Sequence, residues 1–132
     1  MLLTRASEYA LLSLNSIRKS DKPIGAEQLA NELNIPKSFL AKILQSLAKQ
    51  GILESRKGAH GGFVLAQDIH EITISSVILA AEGKPPAVFD CTSYSHTCPS
   101  GAIGTCAISP FLANFQTRID DFLNGLTLGD IL

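Results

Sequence analysis

Three cysteines, the full complement of the chain, lie within sixteen consecutive residues: Cys91, Cys98 and Cys106. Residues 89–106 are rich in Ser, Thr and Gly and show no hydrophobic period, so we predict a loop. Thiolates are the ligands of iron–sulfur clusters, and together with histidine they also bind zinc. Thiols in one loop can instead pair as a reversible disulfide. The segment therefore predicts a cluster, a metal site or a thiol switch.

The spacing of the cysteines leaves these three chemistries open. Six residues separate Cys91 from Cys98, and seven separate Cys98 from Cys106. This is neither the CxxC pair of zinc knuckles nor the CxxCxxC run of bacterial ferredoxins. His96 could complete a zinc site as a fourth ligand, although a lone histidine in a loop more often faces solvent.

A helix-turn-helix pattern occupies the middle of the chain, ahead of the cysteines. Two short segments with helical apolar spacing are separated by Asn34-Ile35-Pro36, and proline favours the first position of the second helix. Gly51 can end that helix in the left-handed conformation. The apolar positions are Ala26, Leu29, Ala30 and Leu33 in the first helix, and Leu40, Ile43, Leu44 and Leu47 in the second. In such a motif the second helix enters the major groove of DNA.

The other face of the second helix is polar and can read DNA. Lys37, Ser38, Lys42 and Gln45 lie there. Ser38 and Gln45 can form hydrogen bonds with bases, whereas the two lysines can meet bases or phosphates. We predict that this face enters the major groove.

A hairpin follows the second helix. Residues 52–56 and 63–65 have strand character, and three glycines between them permit a tight turn. Arg56, Lys57 and His60 lie in or beside that turn, so a basic wing could reach the DNA backbone or the minor groove. An ordinary surface hairpin would carry the same charges, but the preceding helix-turn-helix favours DNA binding.

Three further helices are predicted. The first is capped by Thr4 and ends near Lys19, and a short one is capped by Ser75 or Ser76 and ends at Glu82-Gly83. The last begins at Ser109-Pro110 and ends at Asn124-Gly125. Its apolar stripe consists of Phe111, Leu112, Phe115, Ile119, Phe122 and Leu123. That stripe could pack on its own domain or on a second copy of the chain.

The length and charge distribution of the chain limit the functions that are expected of it. The 132 residues suit one domain with an extension, and the formal net charge of −1 hides an asymmetry. Residues 1–66 hold nine Lys/Arg against five Asp/Glu, a net of +4, and residues 67–132 hold two against seven, a net of −5. We predict a DNA-binding domain in residues 1–66, and sensing and assembly in the acidic residues 67–132.

The cellular setting is predicted from what the sequence lacks. An odd number of cysteines does not suit the disulfide framework of a secreted protein. The first residues lack a signal-peptide pattern, and no apolar run approaches the ~20 residues that span a bilayer. We therefore expect a cytoplasmic protein.

Two classes of function remain after this reading. One is a DNA-binding regulator, and the other is a redox or iron–sulfur protein whose helix-turn-helix serves protein contacts. An enzyme is disfavoured because no Ser/His/Asp, phosphate-loop or paired-carboxylate pattern is present. Specific binding to a DNA palindrome would separate the first two.

The order of several short motifs resembles one protein family over nearly the whole chain. These motifs are Leu3-Thr4-Arg5 with Glu8-Tyr9-Ala10, Ile35-Pro36-Lys37-Ser38-Phe39-Leu40, Leu47-x-x-x-Gly51-Ile52-Leu53-x-Ser55, Gly58-x-x-Gly61-Gly62-Phe63-x-Leu65, Ala81-Glu82-Gly83 and the three-cysteine loop. The chain resembles the bacterial transcription regulators typified by IscR and NsrR. The resemblance implies a mainly α fold with a small β-wing, a winged helix-turn-helix followed by a long C-terminal dimerisation helix.

The resemblance also implies partners and a cofactor. They are a homodimer on a palindromic DNA operator and an iron–sulfur cluster, [2Fe-2S] or [4Fe-4S], in the cysteine loop. In such a protein the cluster would sense redox state, nitric oxide or iron–sulfur status. A regulator that uses zinc or thiols without a cluster is the alternative.

Three cysteines leave a cluster one protein ligand short of four. Some members of the family supply an acidic ligand near the start of the first helix from the partner subunit, and Glu8 stands at that position. The resemblance favours Glu8 over His96 as the fourth ligand. Independently of any cluster, a carboxylate there also stabilises the helix through its dipole.

Overall fold

The computed structural model describes residues 3–88 and 106–132. These residues form six helices and one two-stranded antiparallel sheet. The elements are α1 (Arg5–Lys19), α2 (Ala26–Leu33), α3 (Lys37–Lys49), β1 (Leu53–Arg56), β2 (Gly62–Leu65), α4 (Ile74–Glu82), α5 (Ser109–Gly125) and α6 (Leu128–Ile131). The predicted mainly α class with a small β-wing is confirmed.

The turn between α2 and α3 is sharp because Asn34 adopts the left-handed conformation, with φ of 54°. The amide of Ile35 donates to the carbonyl of Ala30, which closes the end of α2. Pro36 was predicted at the first helical position, but it is the N-cap residue and α3 begins at Lys37. Its φ of −57° and ψ of 127° match the fixed φ of proline and the extended ψ of a cap.

The wing is attached to the loop before α2. Ile24 and Phe63 form an isolated antiparallel bridge, with hydrogen bonds of 3.2 and 2.8 Å. Gly62 makes this approach possible, because a Cβ there would lie 2.6 Å from the carbonyl oxygen of Ile24. The sheet pairs Leu53 with Leu65 at its base.

The cap of α4 differs from the prediction of Ser75 or Ser76. Thr73 is the N-cap, and its hydroxyl accepts from the amide of Ser76 at 3.1 Å. The helix therefore begins at Ile74, and Gly83 ends it with φ of 76° as predicted. Thr73 also pairs with Thr127, which brings the C-terminal residues against the start of α4.

One cluster of buried side chains fills the centre, and it draws on α1, α2, α3 and α4 together with Leu123 and Leu128. The predicted apolar faces of α2 and α3 lie in it. The stripe on α5 divides, because Leu112 and Leu123 are buried whereas Phe111, Phe115 and Phe122 are exposed. In the described part of the chain, no helix has the length and apolarity needed to cross a membrane.

Candidate DNA-binding surface and cysteine segment

The outer face of α3 carries all four predicted DNA-contacting side chains. Lys37, Ser38, Lys42 and Gln45 are exposed, while Leu40, Ile43, Leu44 and Leu47 of the same helix are buried. Lys37 forms an exposed ion pair of 3.4 Å with Glu27 of α2. Such a pair contributes little to stability, so the lysine can exchange it for a phosphate at small cost.

The three predicted wing residues are also exposed, and they lie on one end of the hairpin. Arg56 is the last residue of β1 and lies 3.6 Å from Glu54 in an exposed ion pair. Lys57 follows it, and His60 lies in the turn. Next to His60 an open cavity of about 710 Å³ separates the wing from the loop before α2, with Asp21 and Lys22 on its far side.

An aromatic contact ties the start of α3 to α1. The rings of Tyr9 and Phe39 meet edge to face, with centroids 5.6 Å apart and an interplanar angle of 88°. Phe39 is still 43% exposed, and it neighbours Ser38 on the predicted DNA face. Tyr9 of α1 therefore contacts a residue that adjoins the predicted DNA face.

The structure describes only part of the predicted cluster site. Cys91, His96 and Cys98 lie outside the described residues. Cys106 is half-buried and lies three residues before α5, and its carbonyl accepts from the amide of Ser109, the first residue of that helix, at 3.3 Å. Among the residues of the two described ranges, no group of three or more metal-binding side chains is brought together.

Glu8 lies in the first turn of α1, as predicted, and it is exposed. Its carboxylate is 3.2 Å from the guanidinium of Arg5, and both side chains are more than half exposed. Glu8 lines an open cavity of about 390 Å³ whose other lining residues include the apolar Leu3 and Leu11 and the polar Thr4 and Ser7. Glu8 is thus accessible to another molecule on the outer face of α1.

The outer face of α5 is unusually apolar for an exposed surface. Phe111 is 61% exposed, Phe115 36% and Phe122 62%. The rings of Phe111 and Phe115 stack with centroids 6.0 Å apart. Exposed aromatic side chains that share one face of a helix are a common feature of protein contact sites.

Comparison with known proteins identifies the family to which this chain belongs. The family model Rrf2, described as an iron-dependent transcriptional regulator, matches residues 3–132. The chain belongs to the Rrf2 family. A putative HTH-type transcriptional regulator of Aquifex aeolicus is 31% identical to it over 133 residues, covering 100% of this chain and 92% of that relative. The chain is therefore a transcriptional regulator of the Rrf2 family.

Two further proteins show the range of the family. The HTH-type transcriptional regulator IscR of Vibrio campbellii is 28% identical, over 100% of this chain and 77% of its own length. The solved structure of CymR, the global cysteine regulator of B. subtilis, superposes with a TM-score of 0.71 at 20% identity. That superposition covers 99% of this chain and 95% of CymR, and it shows the shared fold.

Two polar residues of this Rrf2-family chain were not predicted from the sequence to be functional residues. Gln116 is 1% exposed within the apolar stripe of α5. Its amide donates to the carbonyl of Pro86 and to Asp120, and its oxygen accepts from the amide of Val88. It therefore fixes the residues that lead into the cysteine segment. In the sequence, the signal for this role is a polar residue within an apolar stripe.

Glu82 is the second such residue. Its Oε1 accepts from the amide of Thr4 at 2.8 Å and from the hydroxyl of the buried Ser7 at 3.0 Å. The sequence marked it as part of Ala81-Glu82-Gly83, but a contact across 75 to 78 positions leaves no local pattern.

Proposed function

We propose that this chain is a homodimeric regulator that binds a palindromic operator through α3 and the wing. We propose further that an iron–sulfur cluster held by Cys91, Cys98 and Cys106 sets its affinity for that operator. The first part rests on one observation. The polar face of α3 is exposed beside a basic wing, while the apolar face of the same helix is buried.

Each part of this surface has a separate task on DNA. Ser38 and Gln45 can offer hydrogen bonds to base edges in the major groove. Lys37, Lys42 and Lys57 add charge toward phosphates, and Arg56 can enter a narrow minor groove. His60 at the wing turn is placed to approach the backbone. Specificity then resides in α3, and the wing supplies affinity that depends on salt.

The donor set of the cysteine segment fits an iron–sulfur cluster. Iron in such clusters is held by thiolates, and three thiols occur within sixteen residues. When bound, the cluster would supply redox chemistry and reactivity toward nitric oxide. Cys106 lies three residues before α5 begins, so a cluster bound there would be close in sequence to that helix.

Glu8 is the proposed fourth ligand, contributed by the partner subunit. Three observations support it: its exposure, its weak ion pair with Arg5 and the apolar surroundings that a second chain could cover. A carboxylate oxygen is a harder and more labile ligand than thiolate, which suits a sensor that must let nitric oxide or oxygen reach the iron. A cluster bound by residues of both subunits would couple the chemistry of the cluster to the arrangement of the dimer.

Anaerobic purification of the full chain tests the cofactor. Absorption and Mössbauer spectra with iron and sulfide counts should show a [2Fe-2S] or [4Fe-4S] cluster. Zinc in place of iron, or thiols that only form disulfides, would establish the alternative regulator without a cluster.

The ligand assignment needs a matched pair of variants. We expect Glu8→Ala to shorten the lifetime of the reconstituted cluster or change its spectrum, while His96→Ala leaves both unchanged. The reverse pattern would assign the fourth position to His96. Operator binding by the cluster-free protein is measured separately, so the DNA and cofactor proposals stand or fall independently.

A further inference from the structure

A short connector joins α4 to the cysteine segment and is held at both ends. Glu82, the last residue of α4, is bound to the start of α1 through Thr4 and Ser7. Six residues later in the sequence, the amide of Val88 donates to Gln116 of α5 at 2.9 Å. Cys91 is three residues beyond Val88.

The connector is restrained between these two attachments. Gly83 ends α4 in the left-handed conformation, and the consecutive prolines Pro85 and Pro86 each have a fixed φ. Pro86 is buried and its carbonyl accepts from Gln116 at 2.9 Å. These restraints limit the ways in which the connector can change shape between Val88 and Glu82.

The Glu82 end of the connector is linked through α1 to α3, the helix that is proposed to bind DNA. Its carboxylate accepts from the free amide at the N-terminus of α1, where the helix dipole strengthens the bond. Within the next turn of α1, Tyr9 contacts Phe39 of α3. The path from the connector to the predicted DNA face thus consists of hydrogen bonds, one helical turn and one ring contact.

The space around this path permits movement. A cavity of about 360 Å³ lies between Glu82, Lys84, Phe39 and Lys42. Well-packed interiors resist small shifts, whereas an unfilled space allows two neighbouring elements to adopt a second arrangement. This open space leaves room for the side chains at the N-terminal end of α3 and at the end of α4 to rearrange.

We propose that Glu82 is the positioning residue through which the connector sets the orientation of α3, with Gln116 as its anchor on α5. This rests on the proposed binding of operator by α3, but it does not require a cluster. The connector would then report the state of the cysteine segment, whatever chemistry occurs there.

A double-mutant cycle on the cluster-free, reduced, full-length protein tests this role. The probe is a duplex selected by the wild-type protein from random sequence, and the measurement is its affinity by fluorescence anisotropy. Gln116→Met removes the anchor while keeping an apolar side chain of similar length. We expect it to change operator affinity about fivefold or more, and to have less than about a twofold effect when Glu82 is already Ala.

Conservative and control variants separate positioning from stability. Glu82→Gln keeps an acceptor oxygen for Thr4 and Ser7, so it should retain most of the effect of Gln116→Met. Glu71→Ala removes an exposed carboxylate of the same charge just before α4 and should leave that effect intact. Thermal unfolding of each variant shows whether the fold is kept at the assay temperature.

Each result decides the proposal. If Gln116→Met leaves affinity unchanged, or its effect adds to that of Glu82→Ala, Glu82 does not transmit the position of the connector. If the wild-type protein selects no duplex, the proposed DNA binding fails and the inference fails with it. If the wild-type protein binds and the two effects add, only the inference is overturned.

Discussion

At the scale of single residues, the polar face of α3 combines two kinds of side chain. Gln45 has an amide that can accept and donate at once, which suits an adenine edge in the major groove. Ser38 is shorter and lies near the N-terminal end of the helix, where recognition helices contact bases. The lysines beside them carry charge but little geometric selectivity. Gln45 is therefore the best position at which to test base reading.

Gln45→Ala should weaken operator binding by about 1–3 kcal/mol if the amide contacts a base in two places. Binding to unrelated DNA should change much less, because that binding depends on charge. Gln50→Ala removes the same side chain just after the end of α3 and serves as the control. Equal losses on operator and unrelated DNA would show that Gln45 does not read sequence.

A second residue, Asp130, stabilises the C-terminal end of the chain. Its carboxylate accepts from the amide and the hydroxyl of Thr127, at 2.9 and 3.0 Å. These hydrogen bonds, that of the amide first, lower the pKa of Asp130 below its ordinary value, and His70 adds to the shift. Because the folded pKa is depressed, the ionised form stabilises α6 at neutral pH, and this stabilisation is lost as acid protonates the carboxylate.

Asp130→Asn should therefore lower the urea midpoint of unfolding at pH 7. The difference from wild type should shrink progressively below about pH 4, where the carboxylate of the unfolded chain also becomes protonated. Asp121→Asn, an exposed carboxylate on α5, provides the comparison. A gap between wild type and Asp130→Asn that is the same at both ends of the pH range would exclude the charged cap as its cause.

At the scale of elements, the wing owes its position to a backbone contact rather than to its own strands. The bridge between Ile24 and Phe63 fixes the hairpin against the loop before α2. Gly62 allows this close approach with φ of 150°. The charges of Arg56 and Lys57 are thereby held at a defined distance from α3, and they should touch the duplex together with it.

Replacing Arg56 and Lys57 with alanine should reduce the salt dependence of operator binding. Each lost phosphate contact lowers the slope of log affinity against log salt by about one. Arg118→Ala removes a cation from α5 and should leave the slope unchanged. A double variant with the slope of the wild-type protein would mean that the wing does not contact DNA.

The elements that could be predicted from the sequence are those with a strong local signal. The apolar period and the Asn34 break gave α2 and α3 to within a residue, and Thr4 marked the start of α1. The predicted cap of α4 was wrong. Ile74 is already helical, and the cap is Thr73, which also pairs with Thr127 far along the chain.

The parts of the site that the sequence could not predict depend on distant contacts. Gln116 forms its hydrogen bonds 28 and 30 positions back along the chain, and Glu82 reaches Thr4 across 78. No periodicity encodes such pairs. The stripe on α5 is a related case, since its spacing could not tell which aromatic side chains face inward and which face outward.

At the scale of the whole molecule, two of the exposed apolar regions among the described residues are relevant to assembly. One lies along α5 at its exposed phenylalanines, and the other lies at the start of α1 around Leu3, which is 46% exposed. A second copy could cover both of these surfaces in a symmetric dimer. Two copies would also present two α3 helices to the two halves of a palindrome.

Phe115→Asp should therefore give monomers in sedimentation velocity, because it places a charge at the centre of the exposed face of α5. The monomer should bind a full palindrome no better than a half-site, since one recognition helix remains. Thr117→Asp puts the same charge on another exposed face of α5 and should leave the dimer intact. Far-UV circular dichroism of both variants establishes that the helices persist. If Phe115→Asp and a second variant, Phe122→Asp, both remain dimeric, the interface lies elsewhere, and the face around Leu3 and Glu8 becomes the surface to test.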